Sequence, residues 1–283
     1  TMIAAHLLNP SARSISLSTL SLEHMNYEMV NIEELIGTGR NQISMSEVSL
    51  EKAAFYAIED SDIAFQLTKI LIDKLKGNSL YEFFTSIEMP LVPVLTDMEY
   101  NGVFVDPNLL RSMSQEVGEK LDILTNSIYK IADKEFNINS TQQLAIILFD
   151  DLELPKIKKR STAEDVLKKL KEHHELPNLI LEYRKYNKLK NTYLDSLSEL
   201  IENSTGRIHT TFNQTIAATG RLSSTKPNFQ NIPIRTLEGR EIRKAFIAKN
   251  SGWKILSADY SQVELRIMAH FSQDKALINA FKN

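Results

Sequence analysis

Residues 255–271 read Ile-Leu-Ser-Ala-Asp-Tyr-Ser-Gln-Val-Glu-Leu-Arg-Ile-Met-Ala-His-Phe: an apolar run that ends in Asp259, a polar turn, and a second apolar run carrying Glu264 and Arg266. Trp253 to Ala258 is short and apolar enough for a buried strand, while Val263, Ile267, Met268 and Phe271 share one helical face, so Asp259 falls at a strand-to-helix junction. A carboxylate there either caps the helix or has its charge used by a cation. Spacing alone leaves both open.

Composition narrows the chemistry. The chain has 283 residues, 42% hydrophobic and 24% charged, enough for buried cores and two domains. No apolar stretch approaches the about 20 residues that cross a bilayer, and the N-terminus has no signal-peptide pattern, so a soluble, cytoplasmic protein without a membrane partner is expected. Cysteine is absent, which leaves Asp, Glu, His and backbone oxygen as ligands for hard cations, and the histidines show no metal-ligand spacing. The net charge of −3 gives no global sign of a polyanionic partner. Between Thr205 and Asn250, however, Arg207, Arg221, Lys226, Arg235, Arg240, Arg243, Lys244 and Lys249 are opposed only by Glu238 and Glu241, a local basic surface able to steer a phosphate backbone.

Residues 1–8 already have helical spacing, and 275–283 form a helical pattern without a stop signal, so a piece of a longer protein is expected. Val48, Leu50, Phe55, Ile58, Ile63, Leu67, Ile70, Leu71 and Leu75 mark a helix over Ser46 to Lys76 that Gly77-Asn78 breaks. A second helical region begins near Ile87 and turns at Asn101-Gly102. Asp106 then caps a long helix through Glu135, with Pro107 at its first position. Ser140-Thr141 starts another, and Ser161-Thr162-Ala163-Glu164 has capping-box spacing for a helix through Lys171. Pro177 opens the longest, to about Asn203, with Leu179, Leu181, Tyr183, Tyr186, Leu189, Tyr193, Leu197 and Leu200 as buried candidates. Arg207 to Ile216 alternates like short strands, whereas Thr219 to Pro233 is irregular at a length that usually has a functional reason.

Asp259-Tyr260-Ser261-Gln262-Val263-Glu264-Leu265-Arg266 resembles motif A of the palm domain in family A DNA polymerases, the bacterial polymerase I group. Thr219-Gly220-Arg221-Leu222-Ser223-Ser224-Thr225, Pro227-Asn228 and Gln230-Asn231-Ile232-Pro233 resemble that family's primer-template binding stretch, in the same order. Tyr56-Ala57-Ile58-Glu59-Asp60 looks like the Tyr-x-x-x-Asp motif of its 3'-5' exonuclease domain, and Thr141-Gln142-Gln143-Leu144 and Lys188-Leu189-Lys190-Asn191-Thr192-Tyr193 look like its thumb. The resemblance implies an α+β, predominantly helical fold. Residues 1–85 would end a partial RNase H-like exonuclease domain, 86–205 form a helical thumb, and 206–283 begin a palm whose fingers and remainder are missing.

The implied parent is a DNA-directed DNA polymerase that extends a primer by two-metal nucleotidyl transfer and proofreads it. Its partners would be primer-template DNA and deoxynucleoside triphosphates, and its cofactor Mg2+. Asp259 and the Tyr260 carbonyl would hold metal. Ser261, Gln262 and Glu264 would meet the nucleotide, Glu264 by rejecting a ribose 2'-hydroxyl. Arg221 would test minor-groove acceptors at the primer terminus, Asn228, Gln230 and Asn231 would add amide contacts, and Lys188 and Lys190 would meet phosphates. Asp60 would bind an exonuclease metal and Tyr56 orient the attacking water, with Glu59 and Asp62 left on the helix surface.

Plainer roles compete: a helix cap for Asp259, a surface charge for Arg221, loop-backbone bonding for the amides, a solvated face for the lysines, and a half-buried helix position for Tyr56. The sequence also departs from the family. By the resemblance, Asp60 would lack the acidic partners of two further exonuclease motifs, and the fingers helix and second metal-binding Asp would lie beyond Asn283. Lys156-Ile157-Lys158-Lys159-Arg160 runs straight into Ser161, which shortens a thumb-tip loop, and Ala217 stands where Thr is common. The isolated chain is therefore expected to be an inactive monomer. The alternative is a non-catalytic primer-template DNA-binding module. Glu264 speaks against an RNA-synthesising relative, and two long motifs against a helical scaffold without a nucleic-acid role.

Overall fold

A computed structural model describes residues 1–234 and 236–282 as a predominantly helical protein in two units, Thr1–Phe246 and Ile247–Asn283. In the first, α1 (Met2–Leu8), α2 (Leu17–Met25) and α3 (Ile32–Ile36) precede α4 (Leu50–Gly77). Ile63, Leu67, Leu71 and Leu75 recur every four residues along α4 and form a core with Ala4, Ala5, Leu20 and Met29. The front of α4 departs from expectation. Met45–Glu47 make a separate 3-10 turn, the helix starts at Leu50, and Leu50, Phe55 and Ile58 are exposed. Glu59, expected on the surface, is buried: its carboxylate accepts from the Tyr27 hydroxyl at 2.8 Å and the Val30 N–H at 3.0 Å. The chain before α3 folds over that position, which helical periodicity alone does not register.

Beyond α5 (Tyr81–Phe83) and a π turn, Phe84–Glu88, comes α6 (Met89–Asn101). Gly102, at φ +59°, turns the chain into β1 (Val103–Phe104). The Asp106 carboxylate accepts from the N–H groups of Asn108 (2.9 Å) and Leu109 (3.2 Å), opening α7 (Pro107–Ala132) as expected. Asp133 turns left-handed at φ +53°, so α7 stops short of Glu135. Ser140 caps α8 (Thr141–Ile146), which continues through a π turn, Ile147–Asp151. In the short segment β2 (Ile157–Arg160), Arg160 grips Asp150 with both guanidinium nitrogens, at 2.7 and 2.5 Å. The capping box does not form: the Ser161 hydroxyl accepts from the Ala163 N–H at 3.2 Å, and Ala163 becomes the N-cap of α9 (Glu164–Leu170).

The run expected from Pro177 is a continuous helical stretch of α10 (Leu176–Leu189), a π turn, Lys190–Asp195, and α11 (Ser196–Glu199), shorter than α4 and α7. It serves two cores. Leu176 and Ile180 join Ile128, Leu144, Leu148 and Leu167 in one. Leu189, Tyr193, Leu194 and Leu197 join Leu110, Val117 and Leu121 of α7 in the other. Leu189, Tyr193 and Leu197 are buried as expected, Leu200 is 41% exposed, and Ile180 and Leu194 take core places instead. The extra residue in the π turn shifts the apolar period.

β3 (Arg207–Ile208) pairs antiparallel with β1, Val103 opposite Ile208, and β4 (Thr211–Asn213) pairs with β5 (Ser223–Thr225), Phe212 opposite Ser224. Strands thus form where 207–216 alternates. A 3-10 turn, Phe229–Asn231, and α12 (Leu237–Lys244) follow. Ile208, Ile232, Ile242 and Ala245 pack into the second helical core, so residues 206–246 are built onto α7 and α10.

In the second unit the expected buried strand is absent. Trp253 to Ala258 is irregular and exposed, Leu256 at 91%, ahead of α13 (Val263–Ser272) and α14 (Lys275–Lys282). A strand needs a neighbour for its N–H and C=O groups, and the described residues of this unit offer only helices. No helix among the described residues is long and apolar enough to cross a membrane.

A Cβ added at Gly102 would stand 2.7 Å from the Ile208 carbonyl oxygen while the backbone stays at φ +59°. Gly102→Ala should therefore cost about 1–3 kcal/mol in urea unfolding. An unchanged midpoint would show that this turn relaxes freely.

Candidate nucleic-acid interface

The stretch from Thr219 to Pro233 is short of regular structure but tied down internally. The buried Thr210 hydroxyl donates to the carbonyls of Thr225 (3.0 Å) and Pro227 (2.8 Å). In β5, the Ser224 hydroxyl accepts from the Phe229 N–H at 3.0 Å. Asn228 Oδ1 accepts from the Gln230 N–H at 3.0 Å and so caps the 3-10 turn, while Gln230 Nε2 donates to the Leu222 carbonyl at 2.6 Å. The Asn228 oxygen and the Gln230 amide thus shape the loop, as the plainer alternative held. Asn231 holds its side chain in solvent, and its carbonyl accepts from the Tyr193 hydroxyl at 2.5 Å. Arg221 is exposed beside Gly220, between β4 and β5. Arg235 lies outside the described residues.

A groove of about 730 Å³ separates this loop from the helical run. Lys188, Thr192 and Ser196 line one wall, and Lys226, Asn228 and Asn231 the other. Three sequence candidates, Lys188, Asn228 and Asn231, therefore meet. Lys226 had stood out only as part of the basic stretch, Thr192 carried no signal beyond its place in a thumb-like motif, and Ser196 carried none. Lys190 is elsewhere: its Nζ donates to the Asp195 carboxylate at 2.9 and 3.0 Å and to the Ser114 hydroxyl at 2.7 Å. Ser114 in turn donates to Asp195 at 2.5 Å. The charge of Lys190 is satisfied inside the fold and is not presented to the groove.

In the second unit, Asp259 and Tyr260 are exposed and irregular, Ser261 and Gln262 form a turn, and Gln262, at φ +51°, takes the N-cap position of α13 without a side-chain cap bond. Asp259 therefore does not cap the helix, and among the described residues it makes no hydrogen bond or ion pair. Arg266 folds back on the turn, its Nε donating to the Ser261 carbonyl at 3.0 Å and its guanidinium stacking 4.7 Å over the Phe281 ring. Glu264 is exposed in the first turn of α13. No group of three or more His, Cys, Asp or Glu that could hold a metal occurs among the described residues. Asp259 and the Tyr260 carbonyl supply a hard oxygen pair of the kind Mg2+ accepts while keeping other oxygens and waters, so their chemistry fits that ion.

Tyr56 and Asp60 sit half-buried one turn apart on α4. Burial first, then the charges of Asp60 and Glu59, push the Tyr56 hydroxyl above its ordinary value. Asp62 is exposed as expected, where it accepts from Gln66 at 2.7 Å.

Residues 107–283 match the family described as DNA polymerase family A, more than half of the chain, and the chain belongs to that family. It is similar to the DNA polymerase I of Pseudomonas aeruginosa, 47% identical over 290 residues that cover 100% of this chain and 32% of that protein. With the DNA polymerase I of Geobacillus stearothermophilus it shares 42% identity over 99% of this chain and 32% of the relative. Among solved structures it is similar to the POL domain of Pol1 from M. smegmatis in complex with DNA primer-template and dNTP, at 36% identity and a TM-score of 0.83, covering 99% of this chain and 47% of that one. The chain spans about a third of the length of these curated relatives.

Partial burial pushes the Asp195 carboxyl up, but the hydrogen bonds from Ser114 and Lys190 and the charge of Lys190 outweigh it and hold the group below its ordinary value. A depressed carboxyl stabilises the fold above its unfolded-state pKa and loses that contribution as pH falls through the lower folded value. Relative to Asp195→Asn, the wild-type advantage in unfolding free energy should thus shrink between pH 7 and about pH 3. Solvent reaches 28% of Lys190 and 38% of Asp195, so the change should be about 1 kcal/mol or less. A pH-independent difference would contradict the pairing.

Proposed function

We propose that this chain is the DNA-holding and metal-anchoring portion of a DNA-directed DNA polymerase that extends a primer along a template. Residues 86–205 act as its thumb and 206–283 as the first part of its palm. The groove supports this most strongly: Lys188 and Lys226 give sequence-independent phosphate contacts across it, and Asn228 and Asn231 add amide groups along one wall. Arg221, exposed at the β4–β5 loop, reaches minor-groove acceptors that every base pair offers, and so tests pair geometry without reading sequence. Primer-template DNA and deoxynucleoside triphosphates, which the M. smegmatis complex holds, are the partners proposed here.

Asp259 and the Tyr260 carbonyl would hold Mg2+, which when bound neutralises charge on the transferring phosphoryl group. Ser261 and Gln262 shape the adjoining turn toward the nucleotide, and Glu264 fills the space a ribose 2'-hydroxyl would need. Residues 1–85 end a 3'-5' exonuclease domain of RNase H-like fold, with Asp60 as a metal ligand and Tyr56 orienting the attacking water. The exposed Leu50, Phe55, Ile58 and Phe65 of α4 give the rest of that domain an apolar face to cover. The protein works as a cytoplasmic monomer.

Arg221→Ala should weaken binding of the chain to a recessed primer terminus more than to blunt duplex, measured by fluorescence anisotropy at fixed salt. The loss at the terminus should be about 5- to 100-fold, the range of one good minor-groove contact set. Equal loss on both substrates would count against the role at the terminus.

A further inference from the structure

The π turn Lys190–Asp195 lies where three parts of the first unit meet, and its polar side chains tie them together. Lys190 and Asp195 close a three-cornered network with Ser114 of α7, every bond between 2.5 and 3.0 Å. Tyr193, 7% exposed, sends its hydroxyl to the Asn231 carbonyl in the 3-10 turn across the groove. Lys188, in the preceding turn, and Thr192, within the π turn, line the groove itself. A π turn is an irregularity that persists only where surrounding contacts hold it, and such turns are frequent at functional sites.

We propose that this π turn is a positioning element for nucleic acid. The Ser114–Lys190–Asp195 network fixes it against α7, and Tyr193 carries that fix to the Asn228–Asn231 turn. The two walls then keep the separation at which Lys188 and Asn231 engage one DNA backbone. A groove set in advance avoids the ordering cost that flexible side chains would impose on binding. Lys190 accordingly acts through its neighbours and makes no phosphate contact of its own. The inference rests on the groove being a DNA site.

Ser114→Ala removes both bonds of the Ser114 hydroxyl, to Lys190 and Asp195, and Tyr193→Phe removes the one to the Asn231 carbonyl; both leave the net charge unchanged, so neither alters phosphate neutralisation directly. Binding of the 283-residue chain to a fluorescein-labelled primer-template duplex would be measured by anisotropy, with thermal melts showing each variant folded at the assay temperature. Each substitution should weaken binding about three- to tenfold. In a Lys188→Ala background most of that loss should vanish, because a positioning group acts through the contact it positions. Unchanged affinity, or the same fold-loss in both backgrounds, would overturn the inference while leaving the DNA-binding proposal standing. Failure of the wild-type chain to bind the duplex would overturn both.

Discussion

One helical run must fill two cores at once. From Leu176 to Glu199 the chain packs Leu176 and Ile180 against α8 and α9, and then Leu189, Tyr193, Leu194 and Leu197 against α7 and the residues around β3 and α12. A regular α-helix carries its apolar stripe around at a fixed period, and the π turn Lys190–Asp195 supplies the extra residue that brings the second set inward. Burying each of these leucines is worth about 1.5–3 kcal/mol, against about 1 kcal/mol for a weakened backbone hydrogen bond, so packing decides the local geometry. The groove follows from it, since its helical wall is this run and its other wall hangs from Tyr193.

Features governed by neighbours in sequence were legible there. Asp106-Pro107 and Ser140 open their helices as read, because a cap needs only the next three residues. Features that depend on distant partners were not. Glu59 looks like surface until Tyr27, 32 positions away, closes over it. Ser161 has the right spacing for a capping box but spends its hydroxyl on Ala163. Trp253 to Ala258 has the composition of a strand, yet composition supplies no strand to pair with.

The site divides the same way. Lys188, Asn228 and Asn231 were visible through family resemblance, and the fold gathers them into one groove. Lys190, two positions from Lys188, looked equivalent in sequence, but Ser114 lies 76 positions away and captures it together with Asp195. A cation close to a carboxylate and a hydroxyl is already neutralised, so its place in a basic motif says little about what it presents to solvent. Asp259 is the converse: it has no hydrogen-bond or ion-pair partner among the described residues. The net charge of −3 concealed both facts, because steering a phosphate backbone depends on local charge.

DNA held between the helical run and the 226–231 loop is the central claim, and proximity tests it most directly. A photo-crosslinking amino acid placed at Thr192, which lines the groove, should attach the chain to labelled primer-template within a few nucleotides of the primer terminus. High salt should abolish the product. Crosslinking that is absent at low salt, or that spreads evenly along the duplex, would show that the groove is not where the backbone lies.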